Sequence, residues 1–210
     1  IVAAYVHRFR PARVADARQF VITDDQFTHA NVNFSRTNRA ARRYFAPLLR
    51  GRRRAIAVVT GFIGSTVDGR TTTIGRNGSD YTGAIVGAAV GASVIEIWTD
   101  VDGVLSADPK AVPAAFVLPQ ISYEEAMELS YFGAKVLHSA AIAPAVAKGI
   151  PLLIKNTFNP AAPGTLISKS TGDQGHPAKG ISSVGDLTLL TIRGLTMVGV
   201  PGIAERLFRA

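Results

Sequence analysis

The sequence contains no cysteine, a single tryptophan, two methionines and four histidines. Without cysteine there is no disulfide framework and no thiolate metal site, and a cytoplasmic setting is the expectation. His7, His29, His138 and His176 lie far apart, with no H-x-H or H-E-x-x-H spacing, which argues against a histidine metal centre. No run of about 18 apolar residues occurs, so no membrane-spanning helix is expected. No charged-then-apolar-then-small leader opens the chain, and no signal peptide is expected either. Acidic residues are scarce: 15 against 23 basic ones leave a net charge of +8.

What is present suits a folded core. The 210 residues are 47% hydrophobic and 18% charged, enough for one large domain, alone or with a small module. The charge is uneven. Residues 1–54 hold twelve arginines and three aspartates, a balance of +9, and the remainder sums to −1. A basic stretch with few aromatics raises nucleic-acid binding as a reading. The arginine spacing from Arg36 to Arg54, however, fits the solvated face of a helix whose apolar side carries Tyr44, Phe45, Leu48 and Leu49. Nucleic acid is therefore not the expected partner. The chain begins at Ile1 and stops at Ala210 inside a helical pattern, and it reads as a piece of a longer polypeptide.

Strand and helix patterns alternate. A short strand or loop is expected near 18–23, and a helix over 37–50 with Thr37 or Asn38 near its start. Residues 54–60 (RAIAVVT) read as a fully buried strand. Residues 61–70 form a loop or hairpin turning at Asp68-Gly69. A helix over 81–91 precedes a strand at 93–98. Ser122 and Glu125 form a capping box that opens a helix over 121–129. A helix over 140–148, ended by Gly149, precedes strands at 151–154 and 165–167. The alternation predicts an α/β fold with a mostly parallel sheet.

Ligands of such sheets sit at the carboxyl ends of the strands. The turns after Thr60, before Asp80 and after Trp98 are all expected at one such edge. The most informative is Thr71 to Gly83 (TTTIGRNGSDYTG). Gly75 and Gly78 free the backbone for φ > 0, and Ser79 or Asp80 is a good N-cap for the helix that follows. Arg76 beside a helix N-terminus makes a site for a carboxylate or a phosphate. A plain strand-to-helix loop, with Asp80 only capping, is the alternative. The second constellation is Thr99 to Pro109 (TDVDGVLSADP). Its carboxylates suit Mg²⁺ held through water, or a ribose or base group, against the alternative of an Asx-rich turn. Lys135, after a glycine turn, adds a cation. Together these groups suit phosphoryl transfer, where positioning and charge neutralisation dominate.

In order and spacing, GRNGSDYT, IWTDVDGVLSADP, ELSYFGAKVLH and IPLLIKNTFNPAAPGTLIS closely resemble aspartate kinase, with TDDQFTHANVNFSRTNRA and GFIGSTVDGRTTT fitting its middle region. The resemblance runs from about Asp16 onward, and residues 1–15 resemble nothing in the family. IKNTFNPAAPGT looks more like the kinase half of bifunctional aspartate kinase–homoserine dehydrogenase. The resemblance implies an amino-acid-kinase three-layer sandwich followed by ACT regulatory domains. The implied reaction moves the γ-phosphoryl of ATP, with Mg²⁺, onto the β-carboxylate of L-aspartate, at the head of lysine, threonine and methionine synthesis. It implies that Arg76 clamps the substrate carboxylate in a pocket shaped by Asn77, Gly78 and Ser79. Asp80 would organise the catalytic centre, while Thr99, Asp100, Gly103 and Lys135 would meet the nucleotide.

On this reading residues 1–168 are the C-terminal part of the kinase domain and 169–180 a linker. Residues 181–210 begin an ACT domain, where lysine or threonine would act as feedback inhibitor in a homo-oligomer. The sequence also departs from the family. Its lysine-glycine-glycine phosphate loop and the glutamate for the substrate amino group are absent. Leu105 stands for a tyrosine, Lys110 for an arginine and Ser139 for a proline. Weak nucleotide binding without turnover is the expectation for this chain alone, as is the alternative of a non-catalytic regulatory or scaffold fragment. Another amino-acid kinase is the runner-up enzyme.

Overall fold

Runs of β-branched residues too short to be helices alternate with longer runs rich in alanine, and the computed structural model follows that alternation. It describes residues 1–50, 55–131, 139–170 and 178–183, with 202, 205 and 209. In chain order these form α1 (Val2–His7), β1 (Ala12–Ala15), α2 (Phe34–Arg50), β2 (Ile56–Val59), β3 (Ile63–Ser65), β4 (Thr71–Thr73), α3 (Gly78–Val90) and β5 (Ile95–Thr99). Then come β6 (Gln120–Ser122), α4 (Tyr123–Tyr131), α5 (Ser139–Val146), β7 (Leu152–Asn156) and β8 (Thr165–Ser168). The architecture is α/β with mixed sheets.

The strands pair in three groups: β1 with β2, β3 with β4, and a four-stranded sheet in the order β5-β7-β8-β6. Three of the five ladders are parallel, and β3–β4 and β7–β8 are antiparallel. In the larger sheet one face is dry. Ile95 and Ile97 of β5, Leu152 and Ile154 of β7 and Ile167 of β8 join Ile121, Ala126, Ile142 and Ala145 in one apolar cluster. Alternate residues on the other face, such as Glu96 and Trp98, are exposed, as the two-residue strand period requires. A second cluster, around Phe20, Val21, Ala41 and Phe45, lies under α2 and takes in Ala89 of α3. Helix α3 thus packs against both α2 and α5.

Several elements follow the sequence directly. Residues 63–73 form the hairpin turning at Asp68-Gly69, where Gly69 has φ +87°. The capping box is formed as read: the Ser122 N–H donates to Glu125 Oε2 at 2.7 Å and the Glu125 N–H to Ser122 Oγ at 3.0 Å. Helix α5 ends before Gly149, which takes φ +63°.

Others are corrected. Of the short strand or loop expected near 18–23, the loop forms: Ala17–Gln19 coil into a single 3-10 turn capped by Asp16, and the strand of this region lies earlier, at β1. Helix α2 starts three residues early, at Phe34, with Asn33 Oδ1 accepting from the Arg36 N–H at 3.1 Å. Thr37 is instead buried inside it, and its hydroxyl bonds both the N–H and the carbonyl of Ile22. Arg36, Arg39, Arg42 and Arg43 are exposed as expected, but so is Leu49, which leaves the apolar side narrower than read. Strand β2 is not fully buried: Ile56 is 40% exposed and its other residues are half-buried, since β1 is its single partner among the described residues. No helix among the described residues is long and apolar enough to cross a membrane. The expected ACT segment, 181–210, lies almost wholly outside the described residues.

Candidate functional site

The turn expected to receive an anion forms at the start of α3, though not with the cap first read. Gly75 at φ +80° and Asn77 at φ +54° tighten the approach, so the helix already begins at Gly78. Ser79 and Asp80 are then helical themselves and cannot cap. Asn77 occupies that position without a side-chain cap hydrogen bond, leaving the first-turn N–H groups at the positive helix end for an incoming acceptor. Arg76, Asn77 and Ser79 are exposed beside them, and Gly78 is buried. Asp80 is half-buried, and that desolvation raises its carboxyl above the ordinary aspartate value.

The turn is held from below by the loop after β2. A Cβ on Gly78 would lie 2.7 Å from Phe62 Cδ2, and one on Gly61 would lie 3.1 Å from Ser79 Cα. The Thr82 hydroxyl ties the two loops together. It donates to the Gly78 carbonyl at 2.6 Å and accepts the Phe62 N–H at 3.1 Å. Phe62 itself holds φ +73°, a conformation that a bulky residue keeps only when its surroundings enforce it. The 24–31 loop supplies a further wall: His29 lies against Gly75, and Asp24 folds the loop by accepting from the N–H and Nδ2 of Asn31. Thr82 and His29 were not singled out by sequence reasoning. The hydroxyl one turn into the helix was the available signal for Thr82.

The second constellation forms at the end of β5, and Thr99 is the last residue of that strand rather than the first of the loop. Its hydroxyl donates to Asp100 Oδ1 at 3.1 Å, and Asp100 is exposed. Asp102 accepts from Asn156 Nδ2 at 2.7 Å and Asn159 Nδ2 at 3.1 Å, which fastens the loop to the end of β7. Both asparagines were missed, although Asn156 ends the apolar run LLIKN just as Thr99 ends IEIWT. Beyond Gly103 the chain makes a short antiparallel ribbon, Val104–Ser106 against Phe116–Leu118. Hydroxyl groups complete its ladder. Thr165 Oγ1, fully buried, accepts the Val104 N–H at 2.8 Å and donates to the Leu118 carbonyl at 2.6 Å. Ser106 Oγ accepts the Phe116 N–H at 3.1 Å. Gly103 is buried beneath this joint, where a Cβ would stand 2.5 Å from Thr165 Oγ1.

The chain reverses between α3 and β5, with Gly91 at φ +68° closing the helix and Ile95 packed against Gly87. The start of α3 and the end of β5 therefore lie at the same end of the layer. Among the described residues the two groups keep separate hydrogen-bond networks: Gly78 and Phe62 with Thr82, and 99–104 with Asn156, Asn159 and Thr165. Lys135 lies outside the described residues. Among the described residues no group of three or more His, Asp or Glu side chains could cage a metal ion.

The model of the amino acid kinase family matches residues 1–156, and so includes the first fifteen residues that resembled nothing in the sequence reading. The bifunctional aspartokinase/homoserine dehydrogenase of Haemophilus influenzae is 47% identical over 155 residues, covering 74% of this chain and 19% of that protein. Aspartokinase 1 of Arabidopsis thaliana is 37% identical over 211 residues, covering 99% of this chain and 37% of its own length. Among solved structures, E. coli aspartokinase III in complex with aspartate and ADP superposes with a TM-score of 0.74 at 39% identity, over 80% of this chain and 37% of that one. The chain thus spans about a fifth to somewhat over a third of the length of these relatives. With the family model covering three-quarters of the sequence, this chain belongs to the amino acid kinase family.

Proposed function

We propose that the chain carries the substrate and nucleotide sites of an aspartate kinase, which transfers the γ-phosphoryl group of ATP to the β-carboxylate of L-aspartate. The observation that carries the reading is the α3 N-terminal turn, which brings an exposed Arg76, first-turn N–H groups without a side-chain cap and a half-buried Asp80 into five consecutive residues. In the transfer a carboxylate oxygen bonds to the γ-phosphorus while the bond to the bridging oxygen breaks, and ADP departs. Little covalent chemistry falls to the protein, so alignment and neutralisation of charge are its main work. Arg76 suits a bidentate grip on a carboxylate, and Asn77, Gly78 and Ser79 would shape the pocket around it. Asp80 would set the orientation of the reacting groups from the first turn.

The nucleotide would lie along the β5 edge, against Thr99, Asp100 and Gly103, with Lys135 reaching it from the segment after α4. Among the described residues no acidic cage is offered for an ion, and on this reading Mg²⁺ would arrive on the phosphates and add a carboxylate such as Asp100 or Asp80. The E. coli protein, solved with aspartate and ADP and also with lysine and aspartate, supports both the substrate pair and an amino-acid effector for the full-length protein. That effector would act through the region that begins at 181, in an oligomer.

Calorimetric titration tests the assignment. Mg-ATP is expected to bind the chain, and Asp100→Ala and Lys135→Ala to weaken it. L-aspartate is expected to lose about ten-fold in affinity in Arg76→Ala, the scale of a charged hydrogen bond. A folded chain that takes up neither ligand, or whose variants bind as the parent does, would sink the reading.

A further inference from the structure

Residues 178–183 return to the kinase body at one place. The Ile181 N–H donates to the Ser106 carbonyl at 2.8 Å. A regular antiparallel ladder would give that carbonyl to the Phe116 N–H, which bonds Ser106 Oγ instead. Gly180 rests on the same carbonyl and on Leu118 and Leu129, where a Cβ would stand 3.3 to 3.5 Å away. Lys179 completes the attachment. Its Nζ lies 3.0 Å from Glu125 Oε1, and both side chains are largely buried, at 18% and 31% exposure. Glu125 is also the capping-box acceptor for Ser122, the last residue of β6. The Ile181 side chain is 71% exposed, so the contact is made by main chain and not by apolar burial.

We propose that Lys179–Ile181 is a positioning strap for the nucleotide loop: it adds a third edge to the ribbon that follows Asp100–Gly103 and anchors that edge to the cap of α4. The inference rests on the nucleotide assignment above. The ribbon starts one residue after Gly103, and the Ser106 carbonyl is the point at which the strap grips it. When the strap lifts, the ribbon loses that edge, and the Asp100–Gly103 loop is held from the side of Asn156 and Thr165 alone. Release or tightening of the segment downstream would then alter nucleotide affinity before it altered affinity for the acceptor substrate.

Ile181→Pro removes the N–H and leaves little packing to lose, while Ile181→Ala keeps the N–H. Lys179→Gln removes the charge, and Lys179→Arg restores it. In titrations of the full 210-residue chain, Ile181→Pro and Lys179→Gln are expected to weaken Mg-ATP binding about five-fold, the scale of one main-chain hydrogen bond. Ile181→Ala and Lys179→Arg should stay within about two-fold of the parent, and L-aspartate affinity should be unchanged in all four. Amide exchange at Val104 and Phe116–Leu118 is expected to quicken in the two weakened variants. Parental Mg-ATP affinity in both, or equal loss of both ligands, overturns the strap. A parent chain that binds no Mg-ATP overturns the nucleotide assignment, and the strap's role with it.

Discussion

The two halves of the candidate site are stiffened by different means. Around α3 the fixing contacts are close approaches of neighbouring loops, with Gly61 and Gly78 letting backbone meet backbone and Thr82 bonding Gly78 one turn away and Phe62 twenty residues back. Around the β5 loop the fixing groups come from far along the chain. Thr165 reaches back 61 residues to Val104, and Asn156 reaches 54 residues to Asp102. The first half is a property of a short peptide stretch held in place. The second exists only once the four-stranded sheet has closed.

If that distinction is right, crowding Gly103 should do the most damage. Gly103→Ala drives a methyl against a fully buried hydroxyl that already has two partners, at a positive φ of 151°. A loss of about 2–4 kcal/mol is expected in urea denaturation, from overpacking and backbone strain together. Gly78→Ala meets the Phe62 ring at 2.7 Å and the Phe62 Cα at 3.1 Å, but Gly78 has no positive φ to strain and alanine favours the helix. Its net cost should be about 1 kcal/mol or less, so equal losses at the two glycines would break the comparison.

The hydroxyls sharpen it. Thr165→Val keeps the shape but strands the Val104 N–H and the Leu118 carbonyl, both buried, for an expected loss of about 2–3 kcal/mol. Thr82→Val leaves one part-buried N–H, that of Phe62, without its acceptor, and about 1 kcal/mol is expected. Thermal melts of the two variants side by side would decide the order.

The smallest effect concerns Asp80. Burial raises its carboxyl in the folded chain, so the folded state holds a proton more readily than the unfolded state does. Stability tied to this group therefore falls as pH rises from the unfolded value of about 3.8 through the folded one, and the cost persists at neutral pH. Asp80→Asn should melt slightly higher than the parent at pH 7 and lose that advantage near pH 3. An advantage that grows toward acid would show the carboxylate to be stabilised, not strained, in its turn.

These contrasts also explain what was legible in the sequence. The α3 turn, the capping box at Ser122–Glu125 and the hairpin at Asp68-Gly69 are written in a few adjacent residues, and each could be read there. Where local rules failed, the backbone geometry of the turn or a neighbour far along the chain had decided the matter. Asn77 displaced Ser79 and Asp80 as cap because two positive-φ residues tightened the turn before them. Thr37 left the helix start for the interior because Ile22 offered both of its main-chain groups. The strand β1, ARVA, is too short and too charged to announce itself, and it needs β2 beside it. Thr165 carries no local mark of its role at all.

The antiparallel run of β8 has a consequence for how tolerant the chain is to changes in length. Its neighbour β7 and the next strand over, β5, deliver their final residues to the rim that carries Thr99 and Asn156, whereas β8, travelling the other way, delivers its first. That is how Thr165 arrives under the ribbon, and the eight residues 157–164 act as a ruler between Asn156 and Thr165. Because Thr165 is itself the first residue of β8, a change in length passed on to that strand would slide the hydroxyl out of step with Val104 and draw Ile167 out of the apolar cluster in the same movement. A loop that only bulged outward would leave both in place, so this connection tolerates the drift in length that surface loops ordinarily permit only where the slack stays outside the strand.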